Sequence, residues 1–349
     1  MIKQILLTLL FLILLARPSL GRSPHLIHLR WPDLYPPSLA WDPNADHFLL
    51  PSLRHPHLVS VSDAGVSSAL LSDDSLPPNS SFVAVSLDSR LRRLLVVVRS
   101  PTPPLSALAA YDLPTSRRLF LASLDGLISS PAAASHVAAD YSGNAYVTDS
   151  ANGALYRVTE RGEATVLSRS QAFRSGSGDG GLNGVVYNSK GYLLVTQSSM
   201  GKLFKVNADD GTARRVILNR DLTGAGGIAT RRDGVVVVVS RQKLYFVKSD
   251  DSWGEGVVFD ETALDEAGHA SGVAVAAEGR VYVVYGHVGE GMMGNSGREE
   301  FSIVEVRSEV EGKDDNVWIF VLLGLGLAYF LYWRFQMKQL VQNMDKKTS

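Results

Sequence analysis

Histidines are the side chains whose spacing in this sequence could support metal or acid–base chemistry. His55 and His57 flank Pro56, so an extended backbone places both imidazoles on one face. Two imidazoles can chelate zinc, but a tetrahedral zinc site needs a third and a fourth ligand. We therefore interpret residues 55–57 as an exposed loop between two strands.

A glycine-rich run, SGSGDGG at residues 175–181, could cradle an anion with its backbone amides. A phosphate-binding loop continues with a lysine, a serine or threonine and then a helix, and this run is followed by LNGVVY instead. We interpret the run as a flexible loop between two structural repeats.

Composition excludes several classes of function. The 349 residues include 34 basic and 35 acidic side chains, so the chain has no basic surplus for binding nucleic acid. It contains no cysteine, which excludes disulfide bonds, thiolate catalysis and cysteine-based zinc sites. We expect no nucleic-acid partner.

Residues 1–21 are predicted to form a signal peptide. Lys3 provides the positive start, residues 5–16 are apolar apart from Thr8, and Ser19 and Gly21 place small side chains at a cleavage site. This apolar run is too short for the roughly 30 Å hydrocarbon core of a bilayer. We therefore expect the segment to be removed in the secretory pathway.

Residues 317–333 are predicted to form a transmembrane helix, because VWIFVLLGLGLAYFLYW has no charge and carries aromatic residues at both edges. Acidic residues precede it and basic residues follow it, which places the tail, residues 334–349, in the cytosol. The chain is then a single-pass type I protein of the endoplasmic reticulum, Golgi, another endomembrane or the plasma membrane. Its large domain faces the lumen or the cell exterior, where Asn79 is a predicted glycosylation site.

The middle of the chain, residues 38–310, is a repeat of short β-strands and turns. Turn glycines recur 48, 43 and 45 residues apart, at Gly143, Gly191, Gly234 and Gly279. With two weaker copies upstream, six copies of about 45 residues match the period of a four-stranded propeller blade. Asn152-Gly153 is typical of a two-residue hairpin turn with positive φ at both positions. We predict an all-β fold, a six-bladed β-propeller.

The last copy of the repeat shows three strands and lacks a fourth. The N-terminal segment, residues 22–37, contains an orphan strand, HLIHLR, at residues 25–30. Pairing of this strand with the last copy would lock the ring and cover an exposed sheet edge. We expect this closure to hold together a domain that has no disulfide.

Three segments of the repeat carry a family resemblance: LAWDP at 39–43, GNAYVTD at 143–149 and LNGV at 182–185. They resemble the SMP-30/gluconolactonase family, whose plant members are described as NHL-domain or calcium-dependent phosphotriesterase-like proteins. The similarity covers residues 30–306. It implies a propeller with a divalent ion on its axis and a metal-dependent hydrolase of lactones or esters.

The resemblance also implies the positions of the metal ligands. The family takes a glutamate from the first blade, asparagine or asparagine-aspartate from the third, asparagine from the fourth and aspartate from the fifth. These positions fall here on Pro37, on Ser135 and His136, on Asn183, and on Gly226. Asn183 is the one retained ligand, and it is neutral, whereas calcium prefers 6–8 oxygens including carboxylates. We expect calcium or another divalent metal only if the axial site survives.

His136 is the candidate catalytic residue, because its place in the repeat puts it near the axis. It could act as a base or a soft-metal ligand, or it could be hydrogen-bonded in the channel. Two functions therefore stay open. The favoured one is a membrane-anchored propeller that binds a small molecule or a protein on its face. The alternative is a lactone or ester hydrolase that uses Asn183 with His136.

Overall fold

The computed structural model describes residues 23–173 and 181–348, and the side chains of 312–321 and 343–348 lie outside the description. Residues Pro24–Arg307 form one compact unit. The described part of this unit contains six sheets, five of four strands and one of five strands. The predicted all-β, six-bladed propeller is confirmed.

Each blade is a meander whose first strand lies next to the axis. The N-terminal strand is β1 (Leu26–Arg30). The strands of the first three blades are β2 (Ala40–Asp42), β3 (His47–Pro51), β4 (His57–Ser62), β5 (Ser67–Ser72); β6 (Ser81–Asp88), β7 (Arg93–Pro101), β8 (Pro104–Asp112), β9 (Arg118–Ser123); β10 (Ala134–Ala139), β11 (Ala145–Asp149), β12 (Ala154–Val158) and β13 (Ala164–Ser168).

The remaining blades follow in the same order. Their strands are β14 (Leu182–Asn188), β15 (Tyr192–Gln197), β16 (Lys202–Asn207), β17 (Ala213–Arg215); β18 (Ile217–Leu218), β19 (Ile228–Thr230), β20 (Val236–Val239), β21 (Lys243–Lys248), β22 (Glu255–Ala263); β23 (Ala270–Val275), β24 (Val281–Tyr285) and β25 (Glu300–Val306). The helices are two 3-10 turns (Gln171–Phe173 and Ala277–Gly279), α1 (Val288–Met292) and α2 (Glu309–Thr348).

Burial explains why the second strand of several blades is a continuous apolar run. All residues of β11, β15, β20 and β24 are buried, because neighbouring blades cover both faces of each sheet. The outer strands β5 and β9 are exposed at several positions. Six hydrophobic clusters fill the six junctions between successive blades. The blades therefore hold one another through stacked apolar faces.

A recurring acidic or amide side chain closes the turn after the innermost strand. Its oxygen accepts a backbone N–H two or three residues later in four successive blades, at Asp42, Asp88, Asp140 and Asn188. In the third, fourth and fifth blades a turn glycine with positive φ follows; Gly234, for example, has φ 88° with open space around it. Because no neighbour restricts that position, the backbone conformation and not packing requires glycine there.

The predicted two-residue turn at Asn152-Gly153 is wrong. Asp149 pairs with Ala154, so the loop contains four residues, and in it Gly153 has positive φ (56°) while Asn152 does not. The Asp149 carboxylate accepts the backbone N–H groups of Ala151 and Asn152 at 3.0 Å each. This side chain stabilises a wider turn than the Asn-Gly pair alone indicates.

The N-terminal strand closes the ring. β1 pairs antiparallel with β25, from Leu26 opposite Val304 to Arg30 opposite Glu300. His25 and Glu305 extend the ladder, since the Glu305 N–H donates to the His25 carbonyl at 2.8 Å. The last blade thus takes its outermost strand from the start of the chain, which covers the edge of β25.

The N-terminal segment was predicted to direct the chain into the secretory pathway, and the C-terminal segment to anchor it in a membrane. The predicted signal peptide, residues 1–21, lies outside the described residues. The predicted span 317–333 falls within α2, and its first five positions lack described side chains. A search of the described residues finds no helix with a stretch both long and apolar enough to cross a membrane.

Candidate functional site

The innermost strands surround a cavity of about 560 Å³ on the propeller axis. Every blade contributes to its wall, through residues that include Ala40, Val85, Val137, Val185, Ile228 and Val273. These side chains come from equivalent strands of the repeat, so the six-fold arrangement of short apolar strands produces the wall. A cavity of this volume accommodates a small organic molecule.

The cavity opens where the first hairpin turns of the blades meet solvent. Exposed turn residues line this end, among them Pro43, Asp46, Ser89 and Arg232. Two aromatic side chains, Trp41 and Tyr187, lie in the wall below these turns. Trp41 packs against Phe48, with ring centroids 4.7 Å apart, and Tyr187 stacks on Tyr146 at 6.1 Å. Packing behind each ring therefore fixes its position.

His136 lines the inner part of the cavity. Its Nε2 atom is closed to solvent and has no hydrogen-bond partner among the described residues. Burial lowers the pKa of this imidazole from 6.5 to about 4, and the nearby Asn183 side chain only partly opposes that shift. His136 is therefore a neutral imidazole at pH 7.

The other ring nitrogen of His136 belongs to a series of hydrogen bonds that we call the relay. The relay consists of His136, Ser135, Asn183, Ser198 and the carbonyl of Ala225. Ser135 Oγ lies 3.4 Å from His136 Nδ1 and donates to Asn183 Oδ1 at 3.2 Å. Asn183 Nδ2 donates to Ser198 Oγ at 3.0 Å, and Ser198 Oγ donates to the Ala225 carbonyl. The relay joins the third, fourth and fifth blades.

Two threonines hold the backbone around the relay. Thr148 Oγ1 donates to the Asn183 carbonyl at 2.6 Å, and Thr196 Oγ1 donates to the Gly226 carbonyl at 2.8 Å. The Gly184 N–H also donates to the Gly226 carbonyl, at 3.1 Å. The third blade is thus tied to the fourth, and the fourth to the fifth, by hydroxyl and amide donors beside the axis, which fixes the backbone that carries the relay side chains.

The positions that correspond to family metal ligands do not fit a calcium ion. Ser135, His136 and Asn183 come together, but the oxygens of Ser135 and Asn183 are engaged in the relay. Pro37 and Gly226 offer no side-chain ligand. Among the described residues there is no group of three or more histidine, aspartate or glutamate side chains that could hold a metal. Without carboxylates, nothing here compensates a divalent charge.

The histidine pair at residues 55–57 lies away from the axis. His55 is exposed, but His57 is half-buried as the first residue of β4, so the predicted exposed loop is only partly correct. The two rings stack at 5.5 Å, and His57 Nε2 accepts the Trp31 indole N–H at 3.2 Å. Burial, followed by the neighbouring His55, lowers the pKa of His57 to about 4. The pair has a structural role at the base of the first blade.

Two further predicted sites are placed only in part. Residues 174–180 of the glycine-rich run lie outside the described residues. Asn79 is exposed on the turn before β6, with φ 60°, and its glycosylation stays a prediction.

Several residues of the site were missed in the sequence. Ser198 follows the second strand of the fourth blade, as Ser150 and Ser240 do in the third and fifth. That repeated serine was a usable signal, although it does not show which copy contacts Asn183. The aromatic wall, Trp41 and Tyr187, carried no signal, because aromatic residues of inner strands are usually core residues.

The fold is similar to several solved propellers. The major allergen Mala s 1 of Malassezia sympodialis aligns with a TM-score of 0.70 at 16% identity, covering 82% of this chain and 97% of that chain. The gluconolactonase XC5397 of Xanthomonas campestris aligns with a TM-score of 0.57 at 14% identity, covering 84% and 93%. Virginiamycin B lyase of Staphylococcus aureus aligns with a TM-score of 0.53 at 10% identity, covering 82% and 100%.

These likenesses bear on the fold alone, a β-propeller similar to the folds of a gluconolactonase and a lyase. No family model matches the sequence, and no curated protein matches it. At 10–16% identity the neighbours carry no residue-level assignment to this chain.

Proposed function

We propose that this protein is a binding module that holds a small organic molecule in its axial cavity. The observation that carries the proposal is the cavity itself, about 560 Å³, whose wall takes apolar side chains from all six blades and exposes polar and apolar atoms in similar measure. Binding sites for small molecules combine largely apolar walls with a few placed polar groups. The axial cavity has the volume of such a site, and its apolar side chains are accompanied by polar ones, among them Ser38, Ser86 and Thr230.

Binding is favoured over hydrolysis for two reasons. A general base works best when its pKa is near the working pH, and burial lowers that of His136 to about 4. The residues at the family metal positions also lack carboxylates that could hold an ion to activate water. A neutral, weakly basic imidazole whose Nε2 is closed to solvent is a poor base for activating water against an ester.

A thermal melt of the full-length protein tests this proposal. We expect calcium, magnesium, manganese and zinc to leave the melting temperature as it is in chelator, whereas a fitting small molecule raises it. Ligand at 100 times its dissociation constant stabilises a fold by about 2.7 kcal/mol, which is easily measured. Stabilisation by an ion that disappears in Asn183→Ala would contradict the proposal. Lactone and ester substrates would then test the hydrolase alternative.

The chain as a whole is proposed to be a distant member of the SMP-30/gluconolactonase superfamily, anchored to a membrane of the secretory pathway. The similarity of fold to XC5397 supports the first part. Exposed apolar side chains of α2 support the second, among them Leu325, Leu327 and Phe330. Sedimentation with membranes after alkaline extraction tests the anchor. We expect removal of residues 309–349 to release the protein, and an unchanged distribution would contradict anchoring by α2.

A further inference from the structure

Three tyrosines meet at the open end of the axial cavity, between the third and fourth blades, and we call them the tyrosine corner. Tyr187 lies in the cavity wall, and Tyr141 and Tyr146 pack on it. The rings of Tyr141 and Tyr187 are nearly perpendicular, at 75°, with their centroids 5.8 Å apart. Tyr146 is buried, whereas Tyr141 is 69% exposed. The fold therefore holds a large aromatic side chain at the cavity rim without covering it.

Carboxylates lie beside the tyrosine corner. Asp140 Oδ2 accepts the Tyr146 hydroxyl at 3.0 Å and the Asn144 side-chain amide at 2.8 Å, and Oδ1 accepts two backbone N–H groups at 2.8 Å each. These donors are neutral, so the hydrogen bonds stabilise the negative charge of Asp140 without cancelling it. Burial raises the pKa of the Tyr187 hydroxyl, and the charges of Asp140 and Asp209 raise it further. The field at Tyr187 is therefore set by carboxylates.

Elsewhere in the propeller, the protein's own cations cover aromatic rings. The pairs are Arg93 with Phe120, Lys205 with Tyr192, Lys248 with Phe259 and Arg280 with Tyr282. Within the described part of the chain, no lysine or arginine lies over a ring of the tyrosine corner in this way. Lys190, on the turn after Tyr187, is directed to the fifth blade, with its Nζ 3.5 Å from Ser252 Oγ. The corner thus combines aromatic rings and carboxylates with no internal cation on the rings.

We propose that the axial cavity binds organic cations, with the ammonium group at the tyrosine corner and the apolar part of the molecule inside the cavity. This inference rests on the proposed function and names the class of its ligand. The negative face of an aromatic ring attracts a cation, and nearby carboxylates add a Coulomb attraction. The cavity lining has one acidic and one basic residue, Asp46 and Arg232, so the corner decides which sign of ligand charge is favoured. A quaternary ammonium group fits best, because it has no N–H donors that would need acceptors at the rings.

Choline and its neutral isostere 3,3-dimethylbutan-1-ol test the charge requirement on the full-length protein. The two molecules have the same shape, and in the second a carbon atom replaces the quaternary nitrogen. We expect choline to bind at least about tenfold more tightly in calorimetric titrations at low salt, and the difference should shrink as salt screens the carboxylates. Equal affinities would overturn the requirement for a cation while supporting a binding cavity.

Substitutions at Tyr141 test where the cation lies. The side chain is exposed, so its replacement leaves the core intact. Tyr141→Leu removes the ring and should reduce the preference for choline over its isostere to about threefold or less. Tyr141→Phe is the matched control, because it keeps the ring and should keep the preference. Asp209→Asn removes one charge and should weaken choline binding without changing the binding of the isostere. A preference that is unchanged in Tyr141→Leu would overturn the assignment of the cation to the corner.

The outcomes separate the two proposals. If choline does not bind but neutral molecules still raise the melting temperature, the cation requirement is overturned and the proposed function stands. If choline, its isostere and every neutral molecule fail to stabilise the protein, the cavity is not a binding site, and both proposals are overturned.

Discussion

The two ends of the propeller axis are built differently from the same six strands. Where the inner strands begin, Gly184, Thr196 and Gly226 bring neighbouring backbones into hydrogen-bond contact, and the relay ends on a carbonyl. Where the strands end, the turns diverge around an open, partly aromatic cavity with exposed Asp46 and Arg232. His136 lies between the two regions: its Nδ1 faces the relay, and the residue lines the cavity.

This contrast shows how one repeat can provide rigidity and a binding space at once. The closed end fixes the spacing of the blades and the orientation of the imidazole, through bonds that need glycine and hydroxyl residues at particular positions. The open end contributes few of these bonds, so its residues can serve ligand binding without affecting how the blades are held together. Mutations at the two ends should therefore differ in their effect on stability.

The largest effect is expected at the closed end, from Gly184→Ala. A Cβ at this position would lie 2.5 Å from the Gly226 carbonyl oxygen and 2.7 Å from Ile228 Cγ2, and the backbone of the fifth blade would have to shift. We expect a loss of about 3 kcal/mol in unfolding free energy, measured by chemical denaturation. Ser86→Thr adds a methyl group to the open cavity and serves as the control, with a change within about 0.5 kcal/mol.

The next effect is a loss of stability in acid that depends on His136. The unfolded chain takes up a proton below pH 6.5 and the folded protein only below about 4, so this stability is complete above pH 6.5 and declines as the pH falls towards 4. Between pH 7 and pH 5 we expect a loss of about 2 kcal/mol from this residue.

Urea unfolding at the two pH values measures that loss. His136→Gln should remove it, whereas His28→Gln, at an exposed position, should not. His57, whose pKa is lowered in the same direction, contributes a separate loss that remains in His136→Gln. If His136→Gln is as acid-sensitive as the wild type, the imidazole is not held neutral by the fold.

A smaller effect is expected from Thr148→Val, which removes the hydroxyl that holds the Asn183 carbonyl. The shape of the side chain is kept, so the loss is that of two hydrogen bonds, this one and the one that Thr148 Oγ1 accepts from the His136 N–H at 3.0 Å, together about 1.5 kcal/mol. Thr165→Val, on an exposed outer strand, is the comparison, and its effect should stay within about 0.5 kcal/mol. Equal losses in the two variants would mean that the relay's support contributes no more than a surface hydroxyl.

The smallest effect is expected at the open end, from Arg232→Gln. The side chain is exposed beside the cavity mouth, and surface substitutions of this kind change stability by no more than about 0.5 kcal/mol. The melting temperature checks this. A loss of more than about 1 kcal/mol would show that the open end also supports the ring, and the contrast between the two ends would fail.

The sequence predicted the fold better than the site, for a physical reason. Gly234 and the turn aspartates act within a few residues of themselves, so their spacing shows the blades directly. The relay joins Ser135, Asn183 and Ser198 from different blades, and its direction depends on a carbonyl that no sequence pattern marks. The misjudged turn at Asn152 has a similar origin, because the Asp149 side chain outweighs the local dipeptide preference.

Ring closure by β1 has a consequence for how the protein is made. His25 and Glu305 are bonded neighbours although they lie 280 positions apart in the chain. Synthesis runs from the N-terminus, so β1 has no partner until β25 has left the ribosome. The last blade, which takes β1 as its outermost strand, is therefore completed only at the end of translation. A chain interrupted before residue 300 keeps an unpaired strand at one end and an incomplete ring at the other. Such truncated chains should associate through these free edges instead of folding as shorter propellers.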